Sequence, residues 1–399
     1  MSQTKARPAG PQAAPEFSLV LGGPLFQIFR RTHLCDDALR LLKRRMFVLT
    51  AIAWLPLLVL SVYSGHAFPG KVEIPLLADI ETYARYFVAL PLLIAAEVII
   101  HRRLKPVVEN FVMRGLVRDD ELPKFNAMIA STLRWRNSVV LEAALLVFVY
   151  TVGHWVWRNN IAVDSASWYA TTQGGDMHLT PAGRWWVLVS LPMFQFILLR
   201  WYLRYFIWLS LLWRISRLNL CLIPTHPDRT AGLGFLGRGS HAFWPILSGQ
   251  GAVLAGMIAT QIAYEGHNLL EFKVQIVGFI GFFVIAVLAP LLVFTPHLVR
   301  ASRKGAGEFA RLGVRYARRF EEKWLRENPP DEELLGSSDI QSLADLGNSH
   351  SMASSVGFVP FGWNNVMALI MAAALPLLPL LFTLFSLEQL ADQLLKVIF

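Results

Sequence analysis

Charge is scarce in this chain. Asp, Glu, Lys and Arg make up 16% of its 399 residues, against about 25% in an ordinary soluble domain. Hydrophobic side chains make up 54%, far too apolar for disorder to be the main state. Cysteine is scarcer still. Cys35 and Cys221 are the only two, which excludes a disulfide-built scaffold. Both fall in flanks read below as cytoplasmic, where thiols stay reduced. The fingerprints of common chemistries are also missing. There is no nucleophile elbow, Walker loop, H-E-x-x-H or paired-cysteine motif, so the reading leans away from an enzyme, with no cofactor and no metal expected. No internal repeat is visible, which removes the usual pointer to a transporter's binding site. A secretory leader is not expected either: residues 1–16 are Pro-, Ala- and Gln-rich and read as a disordered tail.

What the chain has in abundance is long apolar runs, several of which approach the ~20 residues that span a bilayer. Seven segments qualify: 46–64, 83–101, 138–157, 185–213, 243–264, 274–297 and 366–385. The expected fold is therefore an all-α membrane protein of about seven transmembrane helices with amphipathic cytoplasmic helices. Its parts are a tail and surface segment (1–45), a six-helix bundle (46–297) with loops at 102–137 and 214–242, a cytoplasmic region (298–364), and a seventh span with an amphipathic tail (365–399).

Lys and Arg give the orientation. They crowd the flank before the first span (Arg30, Arg31, Arg40, Lys43, Arg44, Arg45) and the segments 102–137, 214–242 and 300–326, while loops 65–82, 158–184 and 265–273 hold few. Single crossings put all the basic flanks on one side, so the N-terminus is expected in the cytoplasm. An odd span count puts the C-terminus outside, unless Pro376 and Pro379 make the last segment re-entrant. The net charge of +9 follows this topology, so nucleic acid is not an expected partner; a homo-oligomer is compatible with the pattern.

Outside the spans, Phe17–Phe29 is apolar but interrupted by Gly22, Gly23 and Pro24. It is too short to cross and is expected at the membrane surface. Residues 102–137 read as two short helices broken near Gly115–Pro123. Residues 300–328 read as one helix with an apolar stripe of Phe309, Leu312, Tyr316, Phe320 and Trp324 and a basic stripe of Arg311, Arg315 and Arg318. Such a helix either lies on anionic lipid or packs on the other cytoplasmic segments.

The polar residues within the spans are the first candidate site. Arg200 and Arg204 lie one turn apart in the fourth span. A central arginine costs about 2.5–3.5 kcal/mol on insertion scales, so both need partners. Glu97 and Glu142 sit at matching depths, and a Glu97/Glu142/Arg204 cluster in the inner half of the bundle is expected. The competing reading lets a long fourth helix protrude and its arginines snorkel to headgroups. Cation–π contact with Trp201 or Tyr205 competes with plain packing. In the fifth span, Ser248, Ala252, Gly256 and Thr260 form one small-residue row and Gly251, Ala255 and Ala259 another, which marks a closely packed helix. Gln250 and Gln261 share nearly one face and either line a polar path or make two interhelical hydrogen bonds.

The second candidate is the loop Pro224–Gly237. Its G-x-G-x-x-G (Gly232, Gly234, Gly237) cannot be a dinucleotide fold, because no strand precedes it and no βαβ unit fits between two spans. Free N–H groups beside Arg229 and Arg238 suit an anion; the plainer reading is a tight turn into the fifth span. His226 and Asp228 invite a metal or acid–base role, but two ligands fall short of a site. The plainer reading has Asp228 cap a turn or pair Arg229, with His226 bonded to a backbone carbonyl.

RISRLNLCLIPTHPDRTAGLGFL (Arg214–Leu236), GSSDIQSLADLGN (Gly336–Asn348) and LPLLPLL (Leu375–Leu381) resemble a family of uncharacterised bacterial multi-spanning inner-membrane proteins. The resemblance covers the C-terminal half and implies a bacterial inner-membrane location. That family has no known activity, so no functional residue is carried over. Three functions compete: a channel or transporter for a small anion or polar solute, a membrane scaffold that recruits a cytoplasmic partner or anionic lipid, and a membrane enzyme at His226 and Asp228, in that order.

Overall fold

The computed structural model describes residues 17–32, 41–153, 167–173, 176–326 and 338–384. The expected disordered tail at 1–16, Cys35 and the amphipathic tail at 387–399 lie outside those residues.

Helices dominate. The short α1 (Pro24–Arg31) precedes α2 (Leu42–Ser64). Asp79 starts α3 (Ile80–Met113) by accepting the Thr82 N–H at 3.2 Å. The helices α4 (Leu122–Arg136) and α5 (Val139–Gly153) meet at a 43° bend. A two-stranded hairpin, β1 (Ala170–Gln173) with β2 (Asp176–Leu179), leads to α6 (Pro181–Ile215), which Thr180 caps through the Gly183 N–H at 2.9 Å. Then come α7 (Gly234–Glu265), α8 (Lys273–Leu288), α9 (Thr295–Trp324), α10 (Ser338–Ser354) and α11 (Trp363–Ala374). Six helical stretches are long and apolar enough to cross a membrane, and seven if the bent α4–α5 pair counts as one.

The differences from expectation have physical causes. The first of the two short helices expected in 102–137 is the continuation of α3 itself, which runs on through Pro106 to Met113. At 34 residues α3 is about 51 Å long, well beyond a ~30 Å hydrocarbon core. The expected break is present, at Arg114–Glu121, where Gly115 turns the chain with φ +63°. Residues 154–157 of the expected third span lie outside the described residues; among those described, Val139–Gly153 is about 22 Å long and reaches spanning length together with α4. The hairpin was not expected. Just before it, Trp168 is fully buried and donates its indole N–H to Asp79 at 2.8 Å.

Packing centres on α7. Of the crossing helices it has the largest buried share, 61% of its apolar stretch, and its small residues explain why. A Cβ on Gly251 would lie 2.4 Å from the Ala373 carbonyl of α11, and one on Gly256 would lie 2.7 Å from Ala84 of α3. Glycine alone permits these backbone approaches. Gln250 donates to the Tyr202 hydroxyl of α6 at 2.6 Å. Gln261 is half-buried and has no side-chain hydrogen bond among the described residues, so the two glutamines do not act as a matched pair.

One end of the bundle gathers the basic connections. The Cys221 N–H donates to Leu116 O at 2.8 Å, Arg114 reaches Gly232 O at 3.3 Å, and His297 contacts Ser216 O at 2.5 Å. The α3–α4 turn, the loop after α6 and the start of α9 therefore share that end. There α9 pairs with α10: Tyr316 donates to Asp339 O at 3.1 Å, and Lys323 meets the Asp339 carboxylate at 2.9 Å. Phe309, Tyr316, Phe320 and Trp324 are partly buried, whereas Arg311, Arg315, Arg318 and Arg319 are exposed. Most of the apolar stripe is thus used against protein. Leu312 departs from it and is 42% exposed.

Candidate functional site

Five charged side chains meet inside the bundle. Glu97 of α3 is the hub. It lies 2.6 Å from Arg45 Nη2, 3.1 Å from Arg200 Nη1 and 3.0 Å from Arg204 Nη1. Arg200 bridges onward to Glu142, its Nε 2.7 Å from Oε1. Glu142 sits in the first turn of α5, where the helix dipole favours negative charge. None of the five is more than 7% exposed. The snorkelling alternative for Arg200 and Arg204 is therefore replaced by internal pairing. Arg204 does contact Trp201, its guanidinium carbon 4.9 Å from the ring centroid, while the indole N–H of Trp201 bonds Leu93 O at 2.8 Å.

Two details of the expected cluster change. The ion-pair partner of Glu142 is Arg200 rather than Arg204. Arg45 joins as a fifth member, although its run of basic residues read only as an orientation signal. A better signal was there: Arg45, Leu49, Ala53 and Leu57 recur at steps of four, and all are buried. That is one face of a helix turned to the core, with the arginine at its end.

The N-terminal segment closes the site by packing against the bundle. Phe17, Leu19 and Val20 are 1%, 3% and 0% exposed. Val20 O accepts from Arg204 at 3.2 Å, the Leu25 N–H donates to Glu142 Oε2 at 2.8 Å, and Ser18 O accepts from Arg136 at 2.5 Å. The cause is polar satisfaction: buried Arg204 and Glu142, and half-buried Arg136, take main-chain partners that water would otherwise supply. Within 1–45, the described residues Phe17, Leu19, Val20, Phe26 and Arg45 are buried in the bundle. The space left in the cluster is about 10 Å³, bounded by Leu25, Phe29, Arg45, Glu97, Arg200 and Arg204, room for one water at most.

The glycine loop is not an open anion cradle. Its N–H groups are already taken: Asp228 accepts from Thr230 at 2.9 Å, Gly232 at 3.1 Å and Gly234 at 3.0 Å. The chain supplies its own anion, in a turn where Arg229 and Ala231 hold φ of 53° and 51°. Burial opposes the charged form of Asp228, but these three N–H donors and nearby His226 outweigh it and lower its pKa. His226 Nδ1 lies 2.9 Å from Asp228 Oδ1 and 3.2 Å from the Asp228 N–H, so it meets this turn and not the backbone carbonyl expected. Gly237 is fixed elsewhere: a Cβ there would lie 2.7 Å from Pro360 O, and its own carbonyl accepts from Asn365 at 2.9 Å. Among the described residues no group of three or more His, Cys, Asp and Glu is arranged to hold a metal ion.

A separate apolar cavity of about 660 Å³ opens between α6, α7 and α8, lined by residues including Tyr202, Phe206, Phe243 and Phe283. Trp201 borders both spaces. Compared with family models, curated proteins and solved structures, the chain matches none.

Proposed function

We propose that this chain is a multi-pass carrier of the bacterial inner membrane for a small anion or polar solute, with its N-terminus in the cytoplasm. The solute exchanges with the chain's own ion pairs at Arg45, Glu97, Glu142, Arg200 and Arg204. The observation that carries the reading is a closed cluster of three guanidiniums and two carboxylates, each in an ion pair, contributed by four helices of an apolar bundle. Apolar side chains of similar volume often stabilise a buried site as well as an ion pair does, and ionisable residues within spans commonly mark solute paths. Closure to about 10 Å³ favours a carrier at rest over an open channel. The gathering of basic connections at one end favours that end as cytoplasmic.

The exchange is simple electrostatics. An incoming anion takes donors of Arg200 and Arg204 from the glutamates, and an incoming cation takes Glu142 from Arg200. The cluster's three guanidiniums exceed its two carboxylates, so an incoming anion offsets the excess positive charge, and Arg200 keeps Glu97 if a cation takes Glu142. The test is uptake by proteoliposomes across a panel of small anions and polar solutes, with Arg200→Lys alongside. Lysine keeps the charge and loses the fork that spans both glutamates. Uptake by the wild type, much reduced in a folded Arg200→Lys protein, supports the reading. Uptake by neither, across the panel, removes it.

A scaffold is the second reading, favoured by the exposed arginine face of α9. There Arg311, Arg315, Arg318 and Arg319 would meet anionic lipid or an acidic partner.

A further inference from the structure

The N-terminal segment is held by an unusual set of hands. Two guanidiniums, those of Arg204 and Arg136, point at carbonyl oxygens of Val20 and Ser18, at 3.2 and 2.5 Å. A carboxylate, that of Glu142, takes the N–H of Leu25 at 2.8 Å. Charged donors therefore face oxygen, and a charged acceptor faces nitrogen, along one short stretch of main chain. Only main chain fits at its centre. Gly23 has φ +92°, and a Cβ there would lie 2.9 Å from Glu142 Oε1 and 3.5 Å from Arg200 Nη2.

We infer that the seat filled by residues 18–25 is a binding site for a small zwitterion of the amino-acid or short-peptide class, and that the chain's own segment is a tethered stand-in for it. The inference rests on the carrier reading for the site's purpose and names its substrate class. The ligand carboxylate goes to Arg204 and Arg136, and its ammonium to Glu142. In the closed state those three groups hold neutral carbonyl and amide groups. A zwitterion replaces these ion–neutral contacts with ion–ion contacts, adding Coulomb attraction on both sides. The tether opposes this with an effective concentration in the millimolar range, so ligand midpoints in that range are expected.

The test uses the full chain with Cys35→Ser, Cys221→Ser and Ser18→Cys, reconstituted in lipid and labelled with a maleimide. Ser18 is 8% exposed, so labelling reports release of the segment. Glycine and diglycine are the probes; acetate and methylammonium, each bearing half of the recognition, are the controls. A saturable rise of roughly tenfold in labelling rate with the zwitterions, and little with either control, is expected. No rise with glycine or diglycine, or an equal rise with acetate, overturns the inference. Two variants guard against a site altered by the cysteine itself. Gly23→Ala, strained and crowded, raises labelling without ligand. Glu142→Gln abolishes the preference for zwitterion over acetate. If Gly23→Ala leaves labelling at the wild-type level, the segment is not held as described. The two readings fail separately. A labelling rise without glycine uptake removes the carrier and keeps the binding site. Uptake of another solute without any labelling change keeps the carrier and removes the zwitterion.

Discussion

Glu97 holds three guanidiniums with one carboxylate, so its loss leaves buried cations without their main partner. Breaking such a pair from one side costs about 3–5 kcal/mol. Glu97→Gln is expected to lower unfolding free energy by that order, read from denaturant unfolding in detergent; a change near zero would mean the pairs contribute nothing to folding. Asp228 offers a pH test at the same scale. Its folded pKa lies below the usual carboxylate value because three backbone N–H groups hold the charged form against the burial that opposes it. The stability it contributes is present above the unfolded pKa and is lost as pH falls through the lower folded value. Asp228→Ala should therefore remove that acid step and, at neutral pH, speed amide exchange at Thr230, Gly232 and Gly234. The local loss is about 1–3 kcal/mol. Unchanged exchange would contradict the turn described. Some of this was legible beforehand. Arg200, Arg204, Glu97 and Glu142 stand out because charge inside an apolar run needs a partner. Arg45 was hidden by company, since Lys43 and Arg44 beside it serve the flank. The use of Asp228 as the loop's own anion depends on φ values that a string of residues does not display.

At the scale of elements, apolar run length found the spans and the steps of four found the central helix, because both are local properties of a chain. The break between α4 and α5 falls where the third span was expected to begin, and Ser138 caps the new helix through the Leu141 N–H. The hairpin after Trp168, by contrast, was not legible, since Trp168 is held by the distant Asp79. The inward placement of residues 17–20 follows the same rule: their partners, Arg136 and Arg204, lie more than a hundred residues on. Helix α10 likewise leans on a partner in another element, packing on α9 through Tyr316 and Lys323. The packing of α7 makes a paired prediction. Gly251→Ala and Gly256→Ala put a methyl into backbone or side-chain contact and should each cost about 1–3 kcal/mol. On α8, a Cβ at Gly278 meets nothing within 4 Å, so Gly278→Ala should be neutral or stabilising by about 0.4–1 kcal/mol. Thermal unfolding of the three variants separates the cases, and equal effects would contradict the close approach of α7 to α3 and α11.

At the scale of the whole molecule, four helices and the N-terminal segment converge on one charged cluster while the basic connections collect at one end. A carrier built this way moves solute only by repeatedly opening a closed site. Its flux must saturate and must be accelerated by solute on the far side, unlike that of an open pore. The scaffold reading predicts neither, and predicts instead that charge reversal on the arginine face of α9 weakens sedimentation with anionic vesicles. The most direct measurement is exchange of labelled solute in proteoliposomes, with and without unlabelled solute inside, for the wild type and for Glu142→Gln. The account predicts saturable exchange, faster with solute inside, and its loss in the folded variant. No exchange, or a non-saturating leak that survives Glu142→Gln, would contradict it.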